Sequence, residues 1–396
     1  MKSEFENNTV LLPHEEQAKR IDRIRSIMAR EQISGLLISD NANIYYLTGR
    51  VYSGYIYLPL DGMPIYFVRR PVELKGDGTV YIHKPELIPE TLGLNVPECL
   101  GLEMDVLSYS QTKRLMSVFG NEIKYVNASP VLRLARSVKT EFELERIRQS
   151  GIKQMRVYAR IPRLYQEGMT DLELQVEIER CSRLEGCLGQ FRISGDTMEL
   201  FMGNVLTGEN ADTPCPYDFA MGGGGLDPSI PVGADESVIA DGQSVMVDVN
   251  GNYTGYMTDM TRTYYLGHLS DEAMRAHQCS IDICHTIERV ATPGTPAKAL
   301  YELAEKMVRE QHLENYFMGH RQHASFIGHG VGIEINEQPV IAPRSRDILQ
   351  EGNVIALEPK FVIPKVGAVG IENTYTVTSQ GLKCLTPAPE ELIELI

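Results

Sequence analysis

Five polar residues in the C-terminal part of the chain stand in short apolar runs where valine or isoleucine would be expected. Asp248 closes the run Val245-Met246-Val247, and Asp259 lies in the β-rich stretch Tyr256 to Leu266. His329 stands between two glycines in SFIGHGVGIEINEQP, and those glycines let backbone pack closely around it. Glu358 ends an apolar strand in NVIALEPKFVIP, and Glu372 opens another in GAVGIENTYTVT. A lone strand histidine is usually a satisfied core residue, and a lone strand-end glutamate is usually a surface charge. Four carboxylates and one imidazole on neighbouring short strands are different: buried together and ionised, they require a neutralising partner. Two divalent cations would cancel their charge. Oxygen-rich sets with one histidine suit Mn, Co, Fe or Zn, and no cysteine takes part. In such centres a hydroxide between the ions attacks the substrate while the ions polarise its carbonyl.

The elements that must position these residues can be read around them. VMVDVNGNYTGYMTDMTRTYYLG, residues 245–267, has β-branched and aromatic runs on either side of Asn/Gly turns, which predicts a hairpin. A helix from Glu141 leads to Gly168 and a second helix ending at Leu184; a helix from Asp271 leads to Gly294 and another running to Val308. This repeated pattern predicts two similar halves, each two helices plus a sheet, with the strands meeting at the centre. Asn204 to Asp235 reads as a polar loop region. Its Gly222-Gly223-Gly224-Gly225 lacks the Lys-Ser/Thr of a phosphate loop and is read as a flexible loop lining a cleft.

Upstream, Ala18, Ile21, Ile24, Ile27 and Met28 have helical spacing. A short strand follows at 35–38, and Tyr55–Pro59 with Ile65–Val68 flank an Asp61-Gly62 hairpin turn. We read residues 1–138 as a smaller α/β domain and 139–396 as the domain holding the polar cluster. Thr140 is the expected cap of the helix that opens the second, with Glu141 and Glu143 in its first turn.

The formal net charge of −15 disfavours nucleic acid and anionic membrane surfaces as partners. No run approaches the ~20 apolar residues of a bilayer span. The leader MKSEFENNTVLLPHEEQ lacks a secretory apolar core. Seven scattered cysteines, an odd number without C-x-x-C pairs, fit a reducing cytoplasm.

The order of D-x10-D in DVNGNYTGYMTDMTRT, then GHGVG, LEP and GIEN, resembles the pita-bread superfamily of prolidase, aminopeptidase P, methionine aminopeptidase and creatinase. YYLTG at 45–49 and RSVKTEFELERIR at 136–148 are similar to the amino-terminal domain and hinge of its prolidase and aminopeptidase P branch. The resemblance implies an α+β fold: a pita-bread catalytic domain of two pseudo-symmetric halves, preceded by a creatinase-like α/β domain. It implies a dinuclear metallohydrolase, most simply a peptidase cleaving an N-terminal Xaa-Pro bond by attack of a metal-bridging hydroxide. Asp248 would bind one metal, His329 and Glu358 the other, and Asp259 and Glu372 would bridge them, with two Mn2+ (or Co2+, Zn2+, Fe2+) per chain. Glu358 would handle the proton of the bridging water. A cytoplasmic homodimer acting on a small peptide or amide is expected.

The chain also departs from the family's pattern. Asn336 stands where the peptidases carry a histidine, and is expected to hydrogen-bond substrate without donating an imidazolium proton. Restoring histidine there would be expected to raise peptidase activity. Asp227 and Ser325 replace two further histidines of the substrate-facing shell, with His320 and His323 near enough to substitute, and Gly370 stands where arginine is common. These changes leave two alternatives open: hydrolysis of a non-peptide C–N bond, or a non-catalytic binding protein.

Overall fold

The computed structural model describes residues 12–195, 199 and 201–396; residues 1–11 of the leader lie outside them. The chain divides into two compact units, Met1–Arg136 and Ser137–Ile396.

The first unit opens with helix α1 (His14–Arg30), whose Ile21, Ile24, Ile27 and Met28 are buried at the expected spacing. Ala18 instead faces solvent. Arg20 is buried in its neighbourhood because Glu16 pairs with it at 2.7 Å and Tyr46 O accepts from it. Strand β1 (Gly35–Ile38) leads into helix α2 (Asn41–Thr48), capped by the Asp40 carboxylate and ended by Gly49. Strands β2 (Ser53–Pro59) and β3 (Ile65–Arg70) form the expected hairpin. Then come β4 (Thr79–Tyr81), α3 (Leu87–Leu92), β5 (Cys99–Leu102), α4 (Tyr109–Phe119), β6 (Lys124–Asn127) and α5 (Ser129–Ser137). The strands make one mixed sheet in the order β4-β3-β2-β1-β5-β6.

The second unit begins with α6 (Glu141–Tyr158), where Thr140 and Glu143 form a reciprocal capping box, and α7 (Asp171–Leu184), capped the same way by Thr170 and Glu173. Helix α6 stops at Tyr158, short of Gly168, and a 3-10 turn at Ile161–Arg163 carries Pro162, which has no N–H to continue the ladder. Strands β7 (Gly203–Thr207), β8 (Ser244–Val249), β9 (Gly251–Asn252), β10 (Met257–Thr258) and β11 (Thr261–Tyr265) follow. Strands β8 and β11 pair antiparallel, and β9 with β10 makes a small ribbon at the tip of the expected hairpin.

The second helix pair is α8 (Asp271–Val290) and α9 (Ala297–Glu310). After it come β12 (Gly328–Gly330), β13 (Glu337–Ile341), β14 (Val354–Leu357), β15 (Lys360–Ile363), β16 (Gly367–Gly370), β17 (Asn373–Thr378), β18 (Gly381–Cys384) and β19 (Ile393–Glu394).

Two sheets result, in the orders β19-β11-β8-β7 and β13-β12-β14-β17-β18. Val157, Leu174 and Ile178 of α6 and α7 share a core with Val205, Val245 and Val247 of the first sheet. Ile283, Ile287, Leu300 and Ala304 of α8 and α9 share one with Ile355, Leu357 and Tyr375 of the second. The Val, Leu and Ile side chains among these contribute about 1.5–3 kcal/mol each when fully buried. A bridge between Thr261 and Glu372 joins the two sheets. This is the expected architecture of two helix-pair-plus-sheet halves, and the polar cluster lies at their seam.

Candidate metal centre

Each candidate ligand lies in a strand or directly beside one, where hydrogen bonds fix its backbone. Asp248 lies on β8 opposite Asn204 of β7 and Thr261 of β11. Asp259 precedes β11; its N–H donates to Thr374 Oγ1, and the Thr374 hydroxyl donates to its carbonyl, both at 2.8 Å. Glu372 exchanges backbone bonds with Thr261, whose hydroxyl also donates to Glu372 Oε2 at 2.7 Å. The Glu358 N–H donates to Ile327 O at 2.8 Å. His329 sits in β12 between β13 and β14. A Cβ on Gly328 would lie 2.4 Å from Ala356 O, and one on Gly330 would lie 2.2 Å from Gln338 O. Only glycine permits so close an approach of three strands around the imidazole.

The five side chains converge. His329 Nδ1 lies 3.0 Å from Gly330 O and donates to it, which turns Nε2 toward the carboxylates. Nε2 is 3.4 Å from Glu358 Oε1 and 3.7 Å from Asp259 Oδ2. Asp259 Oδ1 and Glu372 Oε1 are buried and have no hydrogen-bond partner among the described residues. One ligand atom each from Asp259, His329 and Glu372 lies within 4.8 Å of the others. Two unpaired buried oxygens beside an imidazole nitrogen turned toward carboxylates are what a divalent cation satisfies, so the residues of this side fit one.

The other side is different. Lys360, fully buried on β15, places Nζ 2.8 Å from Asp248 Oδ2, 2.8 Å from Glu358 Oε2 and 3.1 Å from Glu372 Oε2. The oxygens that could gather a second metal there, from Asp248, Glu358 and Glu372, already surround an ammonium.

The electrostatics follow from that crowding. Burial raises the Asp259 carboxyl to about 8, helped by Asp248 and opposed by His329. Burial raises Glu372 as well, with Asp259 and Glu358 adding to it. Glu358 is buried too, but Lys360 and His329 overcome that penalty and hold it at about 2. Burial disfavours the Lys360 ammonium, yet its three carboxylates outweigh burial and raise it. His329 follows the same logic, pushed up to about 10 by Glu358, Asp259 and Glu372 against its burial.

The centre opens onto a cavity of about 190 Å3, whose apolar wall includes Ile193, Phe219, Met221, Phe326, Ile335 and Val340. Asn204, Asp218, Asn250 and Asn336 supply polar groups to the same lining.

Comparison with known proteins agrees with this arrangement. Residues 145–379 match metallopeptidase family M24, and residues 20–138 match the creatinase/prolidase N-terminal domain. The chain belongs to metallopeptidase family M24. It is 27% identical over 381 residues to an Xaa-Pro dipeptidase of Pyrococcus furiosus, covering 95% of this chain and 99% of that one. A peptidase of Bacillus subtilis, described as uncharacterized, is 25% identical over 389 residues, covering 95% and 100%. Among solved structures, an Xaa-Pro dipeptidase from Bacillus anthracis superimposes with a TM-score of 0.80 at 24% identity, covering 96% of this chain and 100% of that one. An X-Pro aminopeptidase from Thermotoga maritima gives 0.77 at 23%, covering 94% and 99%. The fold is the pita-bread fold of the prolidase branch, and the protein is a peptidase of a family that works with divalent metal ions. The non-catalytic alternative falls away.

The remaining candidate residues of this M24 chain fall in several places. Asn336 reaches the cavity, but both ends of its amide engage Ser194: Oδ1 accepts from the Ser194 N–H at 2.7 Å and Nδ2 donates to its carbonyl at 2.6 Å. It positions the segment Arg192–Gly195 rather than presenting a free amide. Asp227 is exposed on a turn, where its carboxylate accepts from the Ser229 N–H, and it is not part of the cavity wall. Ser325 is exposed and likewise outside that wall. His320 and His323 line a smaller adjoining cleft, held by Asp212 Oδ2 and Phe317 O at 2.9 Å each. Gly370 pairs with Lys360 across the β15–β16 ribbon, and a Cβ there would lie 2.9 Å from Pro359 O, so the ribbon leaves no room for a side chain. The glycine run is not a loose lining: Gly223 is buried, Gly225 and Gly233 are tied by backbone bonds, and Gly224 donates to Asn210. The preceding Asp218–Met221 forms the wall.

The sequence reading missed three supports and one central group. Thr261 and Thr374 orient Glu372 and Asp259, and buried Arg262 ties Thr261 O, Glu372 O and Asn373 Oδ1 together. The central group is Lys360. Its signal was a lysine in the apolar run LEPKFVIP, where a solvated charge has no place.

Proposed function

We propose that the protein is a metal-dependent peptidase that removes the residue preceding proline from small peptides, in the manner of an Xaa-Pro dipeptidase or aminopeptidase. The observation that carries this reading is the union of a cation-competent set, Asp259, His329, Glu358 and Glu372, with an apolar-walled cavity sized for a short peptide. The wall of Ile193, Phe326, Ile335 and Val340 suits a pyrrolidine ring, which offers no N–H and little polarity. Asn204 Oδ1 and Asn250 Oδ1 are buried without partners among the described residues, and with the Asp218 carboxylate they offer acceptors for the substrate's free ammonium.

When bound, a divalent cation would polarise the scissile carbonyl and lower the pKa of water. The chain's own contribution is to hold charge and protons around that point. Glu358, kept ionised by Lys360, is the proton acceptor. Lys360 Nζ, 2.8 Å from Glu358, keeps an N–H donor against the same carboxylate. Arg262 and Thr261 prevent Glu372 from rotating away. The family resemblance extends this reading to Mn2+ as the metal, a cytoplasmic location and a homodimer. The seven cysteines, all free, suit a reducing compartment.

The test is a screen of Xaa-Pro dipeptides and tripeptides with added Mn2+, Co2+ or Zn2+ and with chelator. Cleavage that chelator abolishes and metal restores is the expected result. Asp259→Asn should lose both bound metal and turnover. Full activity in chelator would refute the reading, and turnover of small non-peptide amides with no Xaa-Pro cleavage would replace its substrate.

A further inference from the structure

We infer that this centre is built for one divalent cation, with the Lys360 ammonium serving in place of a second between Asp248, Glu358 and Glu372. The inference rests on the reading above that the Asp259–His329 side holds a cation, and it corrects the expected count of two.

The division of oxygens between the two sides is the main argument. Glu358 gives Oε2 to Lys360 and turns Oε1 toward His329 Nε2. Glu372 gives Oε2 to Lys360 and leaves Oε1 buried without a partner among the described residues. Each carboxylate thus spans two positions of positive charge, as a bridging ligand does. One position is taken by Nζ. The other gathers the unpaired oxygens and the imidazole.

A second metal would have to bind the oxygens that Nζ already touches. Carboxylate–metal distances are about 2.0–2.2 Å, and an ion so placed on Asp248 Oδ2, Glu358 Oε2 and Glu372 Oε2 would collide with an ammonium 2.8 to 3.1 Å from the same three atoms. Lys360 has no easy exit, because its side chain is 0% exposed. Its carbonyl accepts from Met318 N at 2.8 Å, and its strand is paired to β16. Withdrawing the ammonium would leave a buried charge without its carboxylates, at a large desolvation cost.

Charge balance points the same way. With all four carboxylates ionised, one ammonium and one dication leave a single negative charge, whereas a second dication beside the ammonium would invert it. Lysine supplies fixed charge and N–H donors but no open coordination position. The Asp248 side therefore neutralises and hydrogen-bonds, and polarisation of substrate falls to a single ion on the Asp259–His329 side.

Metal content decides the matter without recourse to activity. The full-length protein is saturated with Mn2+, desalted, and assayed for metal per chain by mass spectrometry, with electron paramagnetic resonance on the same sample. One Mn2+ per chain with the hyperfine pattern of an isolated ion is expected, and Lys360→Ala should bind two and show the spectrum of a coupled pair. Should Lys360→Ala not fold, Asp248→Asn serves: it should retain one ion, because Asp248 Oδ2 accepts from the ammonium rather than joining the Asp259–His329 set. Two ions in the unaltered protein would overturn the inference while leaving the metallopeptidase reading intact. Loss of the ion in Asp248→Asn, or one ion in a folded Lys360→Ala, would also overturn it. No ion in any of these proteins would overturn both readings.

Discussion

Replacing Lys360 by methionine removes the ammonium while keeping most of the stem volume, so the packing change is small. Three carboxylates, two of them buried, then lose their cation: Asp248 Oδ2, Glu358 Oε2 and Glu372 Oε2, at 2.8, 2.8 and 3.1 Å. Removing one partner of a buried ion pair costs about 3–5 kcal/mol. Lys360 serves three partners, which places the chelated variant at the upper end of that range. At roughly 2–4 °C per kcal/mol for a unit of this length, the melting transition should fall by about 10–20 °C in chelator. A bound cation stabilises by mass action, by about 2.7 kcal/mol at a hundredfold excess over Kd. Without the ammonium, both positions accept an ion, so Mn2+ should raise the melting temperature of Lys360→Met by more than it raises that of the unaltered protein. Calorimetry in mildly alkaline buffer, with chelator and then with Mn2+, measures both effects. A chelated variant melting within about 2 °C of the parent, below the shift of ~1 kcal/mol, would refute the reasoning, and so would equal Mn2+ shifts in the two proteins.

Asn336→Ala should raise the KM for peptide several-fold with metal content unchanged, because two hydrogen bonds holding Ser194, worth about 0.5–1.5 kcal/mol each, are lost. Asn336→His should also lower activity, against the sequence expectation, since the ring's donor and acceptor point apart and cannot clasp both the N–H and the carbonyl of one residue. Steady-state kinetics beside metal analysis checks both variants. His277 on α8, packed under Glu390 O at 2.8 Å, is pushed down from 6.5 to about 4, chiefly by burial. The fold therefore favours the neutral ring. Its contribution is complete above pH 6.5 and is lost as pH falls toward 4, by about 3 kcal/mol at ~1.4 kcal/mol per unit. The difference in urea-unfolding free energy between the parent and His277→Gln, followed across that window, should shrink with acidification; a difference independent of pH would refute it.

The sequence by itself picked out the five candidate ligands and the frame around them. Asp248, Asp259, His329, Glu358 and Glu372 were legible because a charge in an apolar strand is costly and needs a partner. The β8–β11 hairpin and the cap at Thr140 were legible because turn and cap chemistry acts over a few residues. Helix ends were less so: α6 stops well before Gly168, where the 3-10 turn around Pro162 intervenes. Tertiary structure decided what lay beyond local range. Asn336 meets a partner 142 residues away, and no local pattern reveals that its amide is already engaged. Asp227 and Ser325 occupy positions in a motif alignment, but loop geometry sets them outside the cavity wall. Ala18 faces solvent while Arg20 is buried, because a guanidinium with a carboxylate and a carbonyl to bind can be placed inside. Lys360 is the sharpest case. Its four-carbon stem can point to solvent or inward, and its composition in an apolar run does not say which. Only the meeting of β8, β14 and β17 around it turns a lysine into the neutralising charge of a centre otherwise read as holding two metals.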